Sequence, residues 1–140
     1  MKKVFIASDH AGFNLKKKII QKFSKSQKII DIGPDSTDSI DYPDYAHKLS
    51  KKVSKNKGSF GILVCGSGMG MALAANKNKN IRAALCYSLK NTKLSRLHNN
   101  ANIITLGARL IKKVKAFNLI RVFLSTSFEG GRHLRRVKKI

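Results

Sequence analysis

Five short apolar runs, none alternating cleanly with polar residues, decide most of what this chain can fold into. They read Val4-Phe-Ile-Ala-Ser8, Lys28-Ile-Ile-Asp-Ile32, Phe60-Gly-Ile-Leu-Val-Cys65, Arg82-Ala-Ala-Leu-Cys86 and Ala101-Asn-Ile-Ile-Thr-Leu106. A strand with one wet face alternates, whereas a near-continuous apolar strand is buried on both faces. That condition points to a parallel sheet covered by helices on either side. The intervening segments supply such helices. Asn14 to Lys25 carries Leu15, Ile19 and Phe23 at helical spacing, and Tyr45 to Lys55 carries Ala46, Leu49 and Val53. Met69 to Asn76, Leu89 to His98 and about Ile111 to Phe128 complete the set. The pattern predicts an α/β doubly wound sandwich on a five-stranded parallel sheet, formed as one domain over residues 1–140.

A chain of 140 residues buries a sizeable core without staples. No segment approaches the ~20 apolar residues of a membrane span. The apolar run after Met1-Lys-Lys is about five residues long, short of a signal peptide's ~7–15. The expected location is therefore the cytoplasm, with Cys65 and Cys86 as free thiols.

The formal charge of +22 is distributed unevenly. Asp9, Asp31, Asp35, Asp38, Asp41 and Asp44 all precede residue 45, and only Glu129 follows. Such a balance invites a nucleic-acid reading. Against it, 22 lysines outnumber 7 arginines and are scattered over every predicted helix. No RNP motif, zinc-finger spacing or aromatic ladder accompanies them. Solvated lysine faces account for the charge with no specific nucleic-acid partner, weak polyanion binding being a side effect.

In a doubly wound sheet, ligands bind outside the carboxyl ends of the strands. Ser8-Asp9-His10-Ala11-Gly12, Cys65-Gly66-Ser67-Gly68 and Gly107-Ala108-Arg109 follow three of the predicted strands. This places titratable side chains on one rim. The segment after Phe60–Cys65 has glycine at 66, 68 and 70 before a helix-like run. Such a turn lets backbone approach a ligand closely and aims N–H groups at negative charge. It also sets a thiol where those dipoles favour a thiolate. The dinucleotide fingerprint fails at Met71, and the P-loop's Gly-Lys-Ser/Thr ending is absent. From this segment alone, Cys65 is either a reactive thiol or an inert one closing a core strand.

Asp9-His10 combines a carboxylate able to accept a sugar hydroxyl proton with an imidazole able to contact phosphate. The plainer reading is an Asp capping the next helix beside an exposed His. His98 ends a basic helix, where a cation suits the dipole, and with Asn99 and Asp9 it is an acid/base candidate. His47 and His133 read as surface residues. Arg132 and Arg136 stand four apart, so a helix puts both on one face as a fork for phosphate or carboxylate. The competing reading is a solvated basic tail. Arg109 is placed to join them. The cysteines and histidines show no short-range metal-ligand spacing, and Gly66-Ser67-Gly68 is not a nucleophile elbow.

Taken together, several motifs resemble one family. They are Ser8-Asp-His-Ala-Gly12, Asp41-Tyr-Pro-Asp44, Cys65-Gly-Ser-Gly68, Ala74-Ala-Asn-Lys77 and Ile81-Arg-Ala-Ala84, followed by Arg96-Leu-His-Asn-Asn-Ala-Asn102, Leu106-Gly-Ala-Arg109 and Phe128-Glu-Gly-Gly-Arg-His133. In order and over essentially the whole chain, they are similar to the type B ribose-5-phosphate isomerases, with their galactose- and allose-phosphate relatives. The resemblance implies a Rossmann-like α/β/α sandwich and a homodimer, sometimes paired into tetramers, with active sites shared between subunits. It implies aldose–ketose isomerisation of a sugar phosphate with no metal or organic cofactor. By the same resemblance Cys65 is the base moving a proton between C1 and C2. Ser67 and the N–H groups of Gly66, Gly68 and Gly70 would stabilise the enediolate, while Asp9 and His98 assist ring opening. Asn99 would hold sugar hydroxyls, Tyr42 would line the pocket, and His10, Arg109, Arg132 and Arg136 would bind phosphate. Ser67 stands where members often have threonine, and Tyr87 where histidine is frequent.

Overall fold

A computed structural model describes residues 1–140, and in it all five expected strands form one parallel sheet in the order β2-β1-β3-β5-β4. The strands are β1 (Lys3–Ser8), β2 (Lys28–Gly33), β3 (Phe60–Cys65), β4 (Ala83–Leu85) and β5 (Ile103–Gly107). The helices are α1 (Phe13–Phe23), α2 (Tyr42–Lys55), α3 (Met69–Ala75), α4 (Leu89–Leu97), α5 (Lys113–Ser125) and α6 (Arg132–Val137).

Period-two burial sorts the central strands into two cores. Val4, Ile6, Ile62, Val64, Ile104 and Leu106 face Leu15, Ile19 and Phe23 of α1 and Leu119, Ile120 and Phe123 of α5. Phe5, Ala7, Leu63, Cys65 and Ile103 face Ala46, Leu49 and Val53 of α2 and Met71 and Ala75 of α3. Burial of each large apolar side chain contributes about 1.5–3 kcal/mol, so both helical layers are held chiefly by the sheet. Phe23 meets Phe117 edge-to-face, with ring centres 5.9 Å apart, and so ties α1 to α5.

Most boundaries shift by one or two residues from the sequence reading, and three differences matter for the fold. α2 begins at Tyr42 because Pro43 fits the first helical turn, where a missing N–H costs nothing. β4 is confined to three residues at the sheet edge. The long helix expected to Phe128 ends at Ser125, and a separate α6 starts after Gly130 and Gly131. α5 stops where Thr126 turns extended, at φ −91° and ψ 122°, and Gly130 and Gly131, with φ of 72° and 53°, turn the chain into α6.

Lys16 is fully buried on α1, an exception in a chain whose other lysines are solvated. Its Nζ donates to Asp31 Oδ1 at 2.9 Å and to the Pro34 carbonyl at 2.6 Å, linking α1 to the end of β2. Lys16→Met keeps the aliphatic stem but removes the cation from Asp31, whose Oδ1 keeps only the Gly33 N–H at 2.9 Å, and leaves the Pro34 carbonyl without this donor. Asp31 is 38 % exposed and water can reach it, so the expected loss is about 1–3 kcal/mol, below that of a sealed pair. Urea unfolding of the two proteins measures it, and a difference under about 0.5 kcal/mol would show that the pair is not structural.

Candidate active site

The insertion of β5 between β3 and β4 makes β1, β3 and β5 neighbours, so the loops after them meet at one rim. Asp9 follows β1, and its N–H donates to the Val64 carbonyl at 3.1 Å. Its Oδ1 accepts from Gly12 N at 2.9 Å, while Oδ2 has no partner in the chain. Asp9 therefore both caps the turn into α1 and presents an oxygen to the cleft, so the two readings of this residue are compatible. Gly12 is required there, because a Cβ would lie 2.4 Å from the Val64 oxygen. His10 sits half-buried in the same turn with Nδ1 unpartnered.

Cys65 ends β3 on the face covered by α2 and α3. It is only 4 % exposed, yet its side chain lines an open cleft and is not sealed in the core. Gly68 N donates to Cys65 Sγ at 3.1 Å. Gly68 adopts φ +79°, and a Cβ there would meet Leu85 at 2.7 Å, so the turn demands glycine. The Gly68 carbonyl accepts from Thr105 Oγ1 at 2.8 Å, which fixes the loop to β5. Ser67 Oγ accepts from Met69 N at 3.2 Å, leaving its own hydroxyl proton free to donate. The N–H groups of Gly66, Ser67 and Gly70 find no acceptor within the chain.

Two side chains wall this turn. A Cβ on Gly70 would lie 2.6 Å from the Tyr42 ring, and one on Gly66 would lie 3.2 Å from Arg109 Nη1. Tyr42 and Arg109 thus rest directly on the two glycines. Asp9, Tyr42, Cys65, Gly66, Ser67, Gly70 and Arg109, with Leu110, line a cleft of about 420 Å³.

His98, Asn99, Arg132 and Arg136 are elsewhere, His98 closing α4 and the two arginines lying on α6. Between parallel strands the helices run back, so α4 and α5 end at the amino-terminal edge of the sheet. Glu129 N donates to the Leu97 carbonyl at 3.1 Å and anchors the turn into α6 there. His98 stacks on His133 with ring centres 4.1 Å apart and planes 13° apart. His133 is therefore no surface residue: it is 6 % exposed and Nε2 has no hydrogen bond. Burial, then the neighbouring His98, hold its pKa below the usual histidine value. Arg132 and Arg136 add positive charge beside it, and their own guanidinium groups are exposed and unbonded.

A profile of the Ribose/Galactose Isomerase family matches residues 4–140. The chain belongs to that family. A putative sugar phosphate isomerase of Rickettsia conorii is 45 % identical over 98 % of this chain and 96 % of its own length. Ribose-5-phosphate isomerase B of Escherichia coli is 38 % identical over 100 % and 95 %. Among solved structures, a ribose 5-phosphate isomerase from Thermotoga maritima superposes with a TM-score of 0.95 at 49 % identity, covering 99 % of this chain and 96 % of that one. The Mycoplasma genitalium ribose-5-phosphate isomerase B, solved with bound ribulose-5-phosphate, gives 0.95 at 44 % identity over 98 % and 92 %.

Within this isomerase-family chain, sequence spacing missed Glu129 and His133 as companions of His98, because β5 and α5 intervene between 98 and 129. The His98, Glu129 and His133 donor atoms lie within 4.8 Å of one another. A tetrahedral metal with bonds of about 2.0–2.1 Å needs its donors drawn closer, roughly 3.4 Å apart. The nearly parallel stack does not converge the ring nitrogens on one point. His47 pairs with the Asn78 amide at 2.9 Å and belongs to the α2–α3 contact.

The low value for His133 gives the fold a pH dependence of known sign. A histidine held below 6.5 takes up its proton in the unfolded chain before it does so in the folded one. Its stabilising share is intact above pH 6.5 and declines as pH falls toward the folded value. Wild type should therefore lose Tm relative to His133→Gln between pH 7.5 and about 5.5. A gap that stays constant across that interval would show that His133 is not desolvated.

Proposed function

We propose that the protein interconverts D-ribose 5-phosphate and D-ribulose 5-phosphate, an aldose–ketose isomerisation of the pentose phosphate pathway. The observation that carries this reading is a thiol at the floor of a cleft, touched by one backbone N–H and flanked by three free ones. Such donors suit an oxyanion that develops during reaction more than a ground-state carbonyl.

The sequence of steps follows from the residues. Asp9 and His98 assist opening of the furanose, moving a proton from the anomeric hydroxyl to the ring oxygen. The Cys65 thiolate takes the proton from C2 of the open aldose, and the electron pair moves through the new C1–C2 double bond to O1. The resulting cis-enediolate is held by Ser67 and the N–H groups of Gly66, Gly68 and Gly70, the Gly68 N–H turning from sulfur as its charge is neutralised. The O2 proton passes to O1 and the Cys65 proton returns at C1, which completes the ketose. No electron leaves the substrate and no metal or organic cofactor is needed. Asn99 holds sugar hydroxyls, and Tyr42 closes the cleft wall. His10, Arg109, Arg132 and Arg136 bind the phosphate, whose remote binding energy positions C1 and C2 against sulfur.

Asp9, His10, Tyr42, Cys65, Ser67 and Arg109 stand at one pole of the chain, whereas His98, Asn99, Arg132 and Arg136 stand at the other. We infer a homodimer in which each site joins one pole from each subunit, with pairing into tetramers as a further step. No helix is long and apolar enough to cross a membrane, and the reading places the single-domain enzyme in the cytoplasm.

Purified wild type should convert ribose 5-phosphate to ribulose 5-phosphate, and Cys65→Ala should reduce turnover by about 10³-fold or more with the fold retained. Turnover surviving in the variant would remove Cys65 as the base. A wild type active on galactose 6-phosphate or allose 6-phosphate and inert on the pentose would keep the chemistry and change the substrate. No turnover on any of them, with salt-sensitive RNA binding, would overturn the enzyme reading altogether.

A further inference from the structure

A larger cleft, about 650 Å³, opens at the amino-terminal edge of the sheet, between the starts of β3, β4 and β5. Lys57, Arg82 and Arg96 line it together with Asn80, Asn100 and Asn102, and it has no acidic residue. The volume falls within the roughly 300–1,000 Å³ of small-molecule sites.

The two arginines are fixed before any ligand arrives. Arg96 is 7 % exposed and lies between the rings of Phe60 and Phe123, at 5.0 and 5.7 Å. Its Nε donates to the Thr126 carbonyl at 3.1 Å, and its Nη1 to Asn100 Oδ1 at 3.0 Å and the Ala101 carbonyl at 2.5 Å. Arg82 donates from Nε to the Asn100 carbonyl at 2.9 Å. These bonds account for the inner edges. Arg96 Nη2 and both terminal nitrogens of Arg82 have no acceptor, and Asn80 and Asn100 keep side-chain N–H groups unused.

No carboxylate balances this charge: Asp31 is paired with Lys16, and Glu129 lies 3.7 Å from His133 Nε2. Burial lowers the pKa of both guanidinium groups, and the proximity of Arg82 lowers that of Arg96 further. Two partly desolvated cations beside each other are costly unless an anion joins them. A planar guanidinium with a free outer edge is suited to two parallel bonds with a tetrahedral oxyanion.

We propose that this cleft is a second anion site that takes the phosphate group of a small molecule, distinct from the Cys65 cleft at the opposite edge of the sheet and lined by neither Arg132 nor Arg136. Arg82 supplies the bidentate contact, Lys57 a mobile point charge from the loop before β3, and Arg96 the fixed charge behind them. The inference does not rest on the isomerase reading.

The test titrates inorganic phosphate into the full chain carrying Arg132→Gln and Arg136→Gln, which removes the exposed arginines assigned to the sugar phosphate. About one phosphate per chain should still bind, and adding Arg82→Gln should weaken it at least 10-fold. Lys57→Gln, in an exposed loop where folding is not at stake, should weaken it several-fold. Absence of binding in the double variant, or binding indifferent to both Arg82→Gln and Lys57→Gln, would overturn the site as adventitious attraction to a basic surface. Preference for citrate or for a short RNA over phosphate would overturn the ligand class.

Discussion

The packing of β3 between β1 and β5 is the constraint on which the rest depends. Phe60 to Cys65 are all buried, and period-two burial gives each face of the strand its own helical layer. Cys65 is the last residue of that strand, so its sulfur is aimed by the sheet and not by a loop. Beyond it the chain must turn at once into α3, which forces the left-handed Gly68 and brings a backbone N–H onto the sulfur. The register Cys65↔Gly107 then carries Arg109 over Gly66, and Ser8↔Val64 sets Asp9 alongside. A register slip of one residue would turn Cys65 toward α1 and α5 and disperse the cleft.

Chain direction in the same parallel sheet also explains why the site residues are divided. Strand ends carry Asp9, Cys65 and Arg109 to one edge, and returning helices carry His98 and α6 to the other. Neither pole has what the proposed reaction requires. One has the thiol and the free backbone N–H groups, and the other has the stacked His98 and His133 rings with two free guanidinium groups. The concentration of unpaired cations at the second pole, in a chain with +22 formal charge, suits a multiply charged substrate.

Much of the fold was legible because β3 is apolar throughout and α1 keeps one helical period, and Phe60–Cys65 coincides with the strand observed. The errors arose where backbone conformation overruled the pattern. The helix expected to Phe128 stops at Ser125 where Thr126 becomes extended, and Pro43 starts α2 earlier than its apolar residues show. At the site, motif spacing disclosed Cys65, the glycine turn and Asp9, since these lie within one or two residues of a strand end. His133 was misread because its partner His98 is distant in sequence and no local signal announces the stack. Arg82 and Arg96 were passed over for a related reason. Each looks ordinary within its own strand or helix, and only the fold brings their charges to one cleft.

The central claim is that each active site is built from opposite poles of two chains. Mixing inactive Cys65→Ala protein with inactive His98→Asn protein tests it most directly, with isomerase activity followed after subunit exchange. A shared site predicts recovery to roughly a quarter of wild-type activity, because half of the mixed dimers are heterodimers and each has one site with both residues intact. Activity that stays at the level of the separate variants, under conditions where labelled subunits demonstrably exchange, would place both residues in a site formed by one chain and contradict the account.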